Sequence, residues 1–472
     1  MARITITIII FTSVIGFGFL IGGKTNLPVY RDISYRMLVN GDTTAACLTC
    51  HGSVVASAEV HPPAEKSCER CHELTDVAHL DSVASGVTMT EAVPTLCYSC
   101  HDNKGELENV HHPVQEGNCF ICHDAHSSEN IYLLKADPVS NLCMECHELD
   151  IPEGNHLHQP VEQGQCTGCH NPHQSDYDNL VNNEGPLMCR SCHREFRQKL
   201  RAEHVHPPAK ENCFNCHEPH SSTEAHLSNS KPLDMCMNCH QTFVDSVHQM
   251  PSVHGAINIE KACLNCHDPH SSDERHIVVA KEKEMCISCH DKTIETDSGS
   301  IANIGQMLSE GKMIHGAIEY IGCSVCHSPH GSSQHTLLIE KFPEGNYANA
   351  ERDNFSLCFR CHNRKLFEDE VTETVTNFRN GDKNLHHAHI NGEKGRSCTL
   401  CHNVHASPND HLIAGEVAFG NWAMPINYKS TETGGSCLPG CHQQKEYSRT
   451  ALGIKPEIPD NLKPESEEEE NE

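Results

Sequence analysis

The segment from His204 to Phe243 reads HVHPPAKENCFNCHEPHSSTEAHLSNSKPLDMCMNCHQTF. It holds two C-x-x-C-H motifs, Cys213–His217 and Cys236–His240. One His stands just before the first motif (His206), and another follows three residues after its end (His220). C-x-x-C-H is the attachment signature of c-type haem. The two thiols add to the vinyl groups as thioethers, and the adjacent His takes one axial position on the iron. His206 and His220 are then candidates for second axial positions.

The same pattern recurs along the chain. Cys47, Cys50 and His51 form a lone first motif, and seven paired units follow. Unit one uses Cys68, Cys71 and His72 with Cys97, Cys100 and His101. Unit two uses Cys119, Cys122 and His123 with Cys143, Cys146 and His147. Unit three uses Cys166, Cys169 and His170 with Cys189, Cys192 and His193. Unit four is the segment quoted above, with Cys213, Cys216 and His217, then Cys236, Cys239 and His240. Unit five uses Cys263, Cys266 and His267 with Cys286, Cys289 and His290. Unit six uses Cys323, Cys326 and His327 with Cys358, Cys361 and His362. Unit seven uses Cys398, Cys401 and His402, then Cys437, Cys441 and His442, the last with three residues between its thiols. A bulged loop through Pro439 and Gly440 would still present both sulfurs of that motif; a disulfide is the alternative. The fifteen motifs use all 30 cysteines, so no thiol remains for a structural disulfide or a nucleophile.

Composition agrees with this reading. The chain has 472 residues, yet only 37% are apolar and 5% aromatic, thin material for a core of that length. Some fifteen haem c groups, about one per thirty residues, would fill the interior instead. Structural zinc sites use other spacings, and a disulfide scaffold does not explain a His after every second Cys. The formal charge is −29, which makes nucleic acid an unsuitable partner and favours cationic partners or metal ions.

Residues 1–24, with Arg3 ahead of an apolar run from Ile4 to Gly23, read as a signal peptide or an uncleaved N-terminal membrane anchor. Both imply export of the remainder. Residues 25–57 form a lead-in with the first motif, 58–290 hold paired units one to five, and 291–312 form a linker. Unit six occupies 313–366, a helical linker 367–385, unit seven 386–444, and an acidic disordered tail 445–472. Short helices are expected over Ile301–Ser309 and Leu366–Phe378. Elsewhere Pro, Asn, Ser and Gly interrupt any long element. The expected fold is therefore mostly irregular coil with short α-helices and little or no sheet, an elongated tandem array of paired-haem units.

Of 39 histidines, fifteen belong to motifs, leaving 24 for the distal positions. An upstream class comprises His61, His112, His158, His206, His254, His315 and His389. A downstream class, three residues after a motif His, comprises His126, His173, His220, His270, His330 and His405; in unit one the nearest equivalent is His79. A fifteenth ligand would come from His111, His156, His204, His226, His248, His276, His335, His386, His387 or His411. Met is an alternative axial ligand, but no Met repeats at a fixed place. His220 cannot bind the second face of the haem held by His217, because that haem lies between its two ligands. It must serve another haem, and three extended residues span at most about 11 Å. Pro219 stiffens this link. Neighbouring haems are thus expected nearly edge to edge.

The H-P-P leader, the CHxPHSS strings and the second motif of each unit resemble the doubled-CXXCH multihaem cytochromes c, over roughly Ala58 to His442. The stretches NFRNGDKNLHHAH (Asn377–His389) and TGGSCLPGCH (Thr433–His442) look like the ends of large cytochromes in that group. The family includes decahaem conduits seated in outer-membrane porins and cytochromes of anaerobic metal-respiring bacteria. The resemblance implies electron transfer through bis-His haems, with redox partners among other cytochromes, an outer-membrane porin or extracellular acceptors. It also implies a periplasmic, outer-membrane-associated or extracellular site of action, as an oligomer or filament in one reading. The chain departs from the porin conduits in having fifteen motifs and an added C-terminal section. No motif has Lys in place of His, so the expectation is an electron carrier rather than an enzyme. The rival is a reductase of a small nitrogen or sulfur oxyanion with one open iron.

Overall fold

The computed structural model describes residues 43–75, 86–149, 151, 156–296 and 299–450. The proposed signal peptide or anchor, most of the lead-in, His79 and residues 451–472 lie outside the described residues. Two compact units emerge: residues 1–152 with 158–184, and 153–157 with 185–472. Among the described residues no helix is long and apolar enough to cross a membrane.

Each repeat begins from its upstream His. His61, His158 and His206 adopt extended backbone at the N-cap of short helices, Pro62–Lys66, Gln159–Glu162 and Pro207–Glu211. Pro is well suited to the first turn, where its missing N–H costs nothing. The first motif then closes in a single tight turn, as at Cys68–Arg70, Cys119–Ile121, Cys213–Asn215 and Cys398–Leu400. Most second motifs instead sit in a short α-helix, for example Ser140–Cys143, Gly185–Cys192 and Glu282–His290. The longest helix, Pro232–His248, bends at His240 and buries Val244 and Val247.

Successive repeats are stitched by two-residue strands. The strand ahead of each upstream His pairs antiparallel with the strand after the downstream His of the next repeat. In the first unit Glu59–Val60 pairs with Ser127–Ser128 and Asn109–Val110 with Gln174–Ser175. In the second unit His156–Leu157 pairs with Ser221–Ser222, His204–Val205 with Ser271–Ser272, Ser252–Val253 with Gly331–Ser332, and Met313–Ile314 with Ala406–Ser407.

The buried apolar side chains among the described residues gather near the C-terminus. Phe355, Phe367 and Ile390 form one cluster and Leu400, Met424 and Ile426 another. Units six and seven have longer stretches between their two motifs than units two to five, and these insertions, Glu340–Phe355 and Leu412–Gly435, supply Phe355, Met424 and Ile426. Met424 lies in a hairpin, Glu416–Phe419 against Trp422–Pro425, whose turn uses Gly420 at φ 62°. A three-stranded sheet follows, with Gly434–Cys437 between Lys429–Ser430 and Lys445–Ser448.

Three boundaries differ from the sequence reading. The linker 367–385 is not helical throughout: its helix is only Lys365–Glu368, and Arg379–Asn380 pairs with Lys383–Asn384. Asn384 is fully buried and donates its side-chain amide to the carbonyls of Leu366 and Asp369, at 2.9 and 2.8 Å, which holds the chain in that turn. The helix expected over Ile301–Ser309 runs Ile304–Glu310, capped by Asn303. The tail does not begin at 445, because Lys445–Ser448 is recruited as a sheet strand.

Phe355→Ala should lower the unfolding free energy of the haem-loaded C-terminal section by about 3–5 kcal/mol, read by denaturant-dependent hydrogen exchange. An unchanged stability would show that this cluster does not hold the section together. Outside it the described residues form little apolar core, so protein made without haem attachment should melt without a cooperative transition; a sharp calorimetric peak would contradict this.

Candidate haem-binding sites

In units two to seven, the strings from the second Cys of each first motif to the Ser six residues on share several local devices. In three of them the residue after the motif His accepts hydrogen bonds from two backbone N–H groups beyond it. Asp124 does so for His126 and Ser127, Asn171 for His173 and Gln174, and Asp268 for His270 and Ser271. This turn projects the downstream His. The carbonyl just before that His then accepts from Nδ1 of an upstream His. The pairs are His61 with Ala125, His111 with Pro172, His206 with Pro269 and His254 with Pro329, at 2.9–3.0 Å. With Nδ1 donating, Nε2 is left bare to bind a metal. The Ser that ends the string donates to a carbonyl six residues on, as Ser175 does to Val181 and Ser272 to Val278, both at 2.6 Å.

The motif histidines are fixed in the same way by a less expected device. Nδ1 of His123, His170, His217, His267, His327 and His402 donates to the carbonyl nine residues on, at 2.8–3.0 Å. The accepting residues are Tyr132, Asn179, His226, His276, Thr336 and His411, and each stands with its successor in left-handed backbone at φ between 49° and 60°. Such geometry costs about 1–2 kcal/mol per non-glycine residue, and bonds such as Asp124 N to Leu133 O at 2.8 Å hold it. His226, His276 and His411 therefore act through their backbone.

Imidazoles meet in parallel pairs. In the first unit His61 faces His101, His72 faces His126, His111 faces His147 and His123 faces His173, with ring centroids 5.9–6.1 Å apart. In the second unit the pairs are His206–His240, His217–His270, His254–His290, His267–His330, His315–His362, His327–His405 and His386–His402, at 6.0–6.4 Å. Interplanar angles run from 9° to 23°. The gap is too wide for ring stacking contact. It fits one metal between two nitrogens: with metal–imidazole bonds of about 2.0–2.1 Å, the centroids fall roughly 6 Å apart. The two cysteines of each motif precede its His directly in the chain. The chain's residues thus fit haem c.

The protonation states agree. Burial, and then the charge of the facing imidazole, lowers the pKa of His72, His173, His290, His315 and His330, and takes His386 and His405 to about 4. His270 also falls to about 4, through burial and then Lys199. Neutral imidazoles are the form that ligates. Phe196 and Phe243 set their edges against His270 and His330, at 4.8 and 5.1 Å between centroids.

The family comparison agrees with this geometry: the model of the doubled CXXCH motif matches residues 61–106, 111–150, 158–198, 206–245, 254–295 and 315–367, more than half of the chain. The chain belongs to the doubled-CXXCH family of multihaem c-type cytochromes. Its six matched repeats carry about 12 covalent haem c sites. No curated protein matches the cytochrome.

Two upstream histidines of the cytochrome are displaced from their expected places. The ring facing His147 is His111, not His112, which instead lies 3.5 Å from Glu116. The strand Asn109–Val110 delivers His111 in the register that places His61 after Glu59–Val60. A sequence signal existed: Pro stands two residues after His61, His111, His158 and His206. Likewise His386 faces His402, whereas His389 stacks on Phe378 at 5.6 Å. Asn384 caps the helix Leu385–Ile390 and Thr376 holds His386 Nδ1 at 3.1 Å, so His386 is the imidazole aimed at His402. Of the remaining sites, His158, His170, His193 and His220 occupy the same local settings as their counterparts, and His51 ends the helix Thr43–His51. His442 donates Nδ1 to its neighbour's carbonyl, Gln443, at 2.6 Å.

His270→Ala should convert one haem to high-spin, the haem on Cys213 and Cys216 rather than that on Cys263 and Cys266. Removing the first pair of cysteines as well should abolish the new signal. His111→Ala should do the same at Cys143 and Cys146, while His112→Ala leaves the absorption spectrum unchanged. The reverse order for the last two would refute the assigned register.

Proposed function

We propose that this electron-transfer cytochrome holds about fifteen haems c and conducts electrons along them in chain order. The observation that carries the reading is an alternation of cysteine contacts. In the first unit the leading thiols of consecutive motifs touch, Cys47 with Cys68, Cys97 with Cys119 and Cys143 with Cys166. Between them the trailing thiols are close enough to repel, Cys71 with Cys100 and Cys122 with Cys146. The second unit repeats this. Leading contacts join Cys189 to Cys213, Cys236 to Cys263, Cys286 to Cys323 and Cys358 to Cys398. Trailing contacts join Cys216 to Cys239, Cys266 to Cys289, Cys326 to Cys361 and Cys401 to Cys441. Within each of the two units, each site therefore adjoins the next in sequence on one edge and the previous on the other.

Haem supplies reversible one-electron exchange when bound. The chain's contribution is to set two oriented imidazoles face to face at the paired sites, several of them kept neutral by burial, where they would hold the haem so that no ligand need change when charge arrives. The apolar N-terminal run supports export to the periplasm, the outer membrane or the cell surface, where covalent haem attachment belongs. The net charge of −29 favours cationic docking partners. Other cytochromes, an outer-membrane porin or an extracellular acceptor in anaerobic respiration are the proposed partners, with assembly into an oligomer or filament as a further possibility of the same row. The alternative, a reductase of a nitrogen or sulfur oxyanion, needs an iron without a second imidazole. The last motif is where the described residues would seat it.

Intact mass should show fifteen covalent haems, and a reductive titration should fill them all over one broad range of low potentials. A mass far below twelve haems, or a large group of haems that never equilibrates with the rest, would sink the conducting row.

A further inference from the structure

The imidazole pairs obey a supply rule. The upstream His of a repeat faces the second motif of its own repeat, as His206 faces His240 and His315 faces His362. The first motif waits for the downstream His of the next repeat, as His327 waits for His405. Unit seven has no successor. Its upstream His386 is drawn to the first motif, where it faces His402 at 6.4 Å and 14°. The second motif, Cys437–His442, is thereby deprived of its supply.

Nothing nearby replaces it. Among the described residues no imidazole faces His442. His389 lies flat against Phe378, and its Nδ1 is engaged by the Leu385 carbonyl at 2.6 Å. Phe378 is itself wedged between His386 and Tyr447, at 5.1 and 5.0 Å. The motif is nevertheless built for attachment. Its extra residue is absorbed where Gly440 passes beneath Trp422: a Cβ there would come within 2.1 Å of the indole. Cys441 Sγ rests 3.5 Å from Met424 Sδ on the wall of the hairpin. Cys401 neighbours both Cys437 and Cys441, so the motif is the next member of the row.

We infer that the haem held by Cys437, Cys441 and His442 keeps a replaceable sixth position and binds small uncharged lone-pair donors, making it the point where the row meets a small molecule. The inference rests on the haem-row reading and deepens it. The preference for uncharged ligands follows from the net charge of −29, which opposes anions.

The test uses the full-length, haem-loaded protein, reduced and titrated with carbon monoxide under absorption difference spectroscopy. One carbon monoxide per chain is expected, and none in the Cys437→Ala, Cys441→Ala double variant, with the other haems reducing as before. His389→Ala should leave the uptake at one. No uptake by the native protein, equal uptake by the double variant, or a haem count lacking only this site would each overturn the inference. So would uptake that appears only in His389→Ala, because His389 would then be the sixth ligand. A full haem count without uptake rejects the inference and leaves the conducting row standing. A near-absence of haems rejects the row itself.

Discussion

Two imidazoles that face each other across one porphyrin cannot come from one short segment, because the porphyrin stands between them. The cytochrome meets this constraint by taking the second imidazole from another part of the chain, either upstream in the same repeat or from the repeat that follows. His217 and His270 lie 53 positions apart in sequence, yet their rings sit 6.0 Å apart. The strand pairs that join successive repeats exist to serve this. His206 N donates to His270 O at 2.9 Å, so the distal imidazoles of two neighbouring sites hang from adjacent backbone. Ligand geometry and chain topology are in this way one constraint.

Meeting it is costly. Six adjacent pairs of residues, from Tyr132–Leu133 to His411–Leu412, stand in left-handed backbone without being glycine, and each pair is held by hydrogen bonds to a motif His and its neighbour. Several histidines are buried with a second imidazole opposite, where protonation is opposed. Among the described residues outside the C-terminal clusters, little apolar side chain is buried. Porphyrin faces and iron–nitrogen bonds must therefore supply what a hydrophobic core supplies elsewhere. The C-terminal section differs because its insertions bring Phe355, Met424 and Ile426. There a conventional core and a small sheet hold the last two motifs, and the supply of imidazoles runs out.

Much of this was legible in the residues. The fifteen motifs, their grouping in pairs and the two classes of spare His follow from spacing, because thioether attachment requires the thiols and the motif His to be neighbours. The closeness of neighbouring sites within a unit was implied by the three-residue link from a motif His to the downstream His, as from His267 to His270. Less legible were His111 and His386. Each has a competing His one or three positions on, and only strand register at Asn109–Val110 and the cap at Asn384 separate the candidates. The carbonyl roles of His226, His276 and His411 were also hidden, since backbone acceptors leave no trace in side-chain identity.

The sequence by itself determined which side chains attach cofactor and how the repeats are counted, because those depend on contiguous residues. Only the tertiary structure decided which imidazole faces which, that consecutive sites within each unit touch through alternate cysteines, and that among the described residues no His faces the final motif. Those facts depend on pairings between segments tens of residues apart, whose register is set by hydrogen bonds and not by any local pattern.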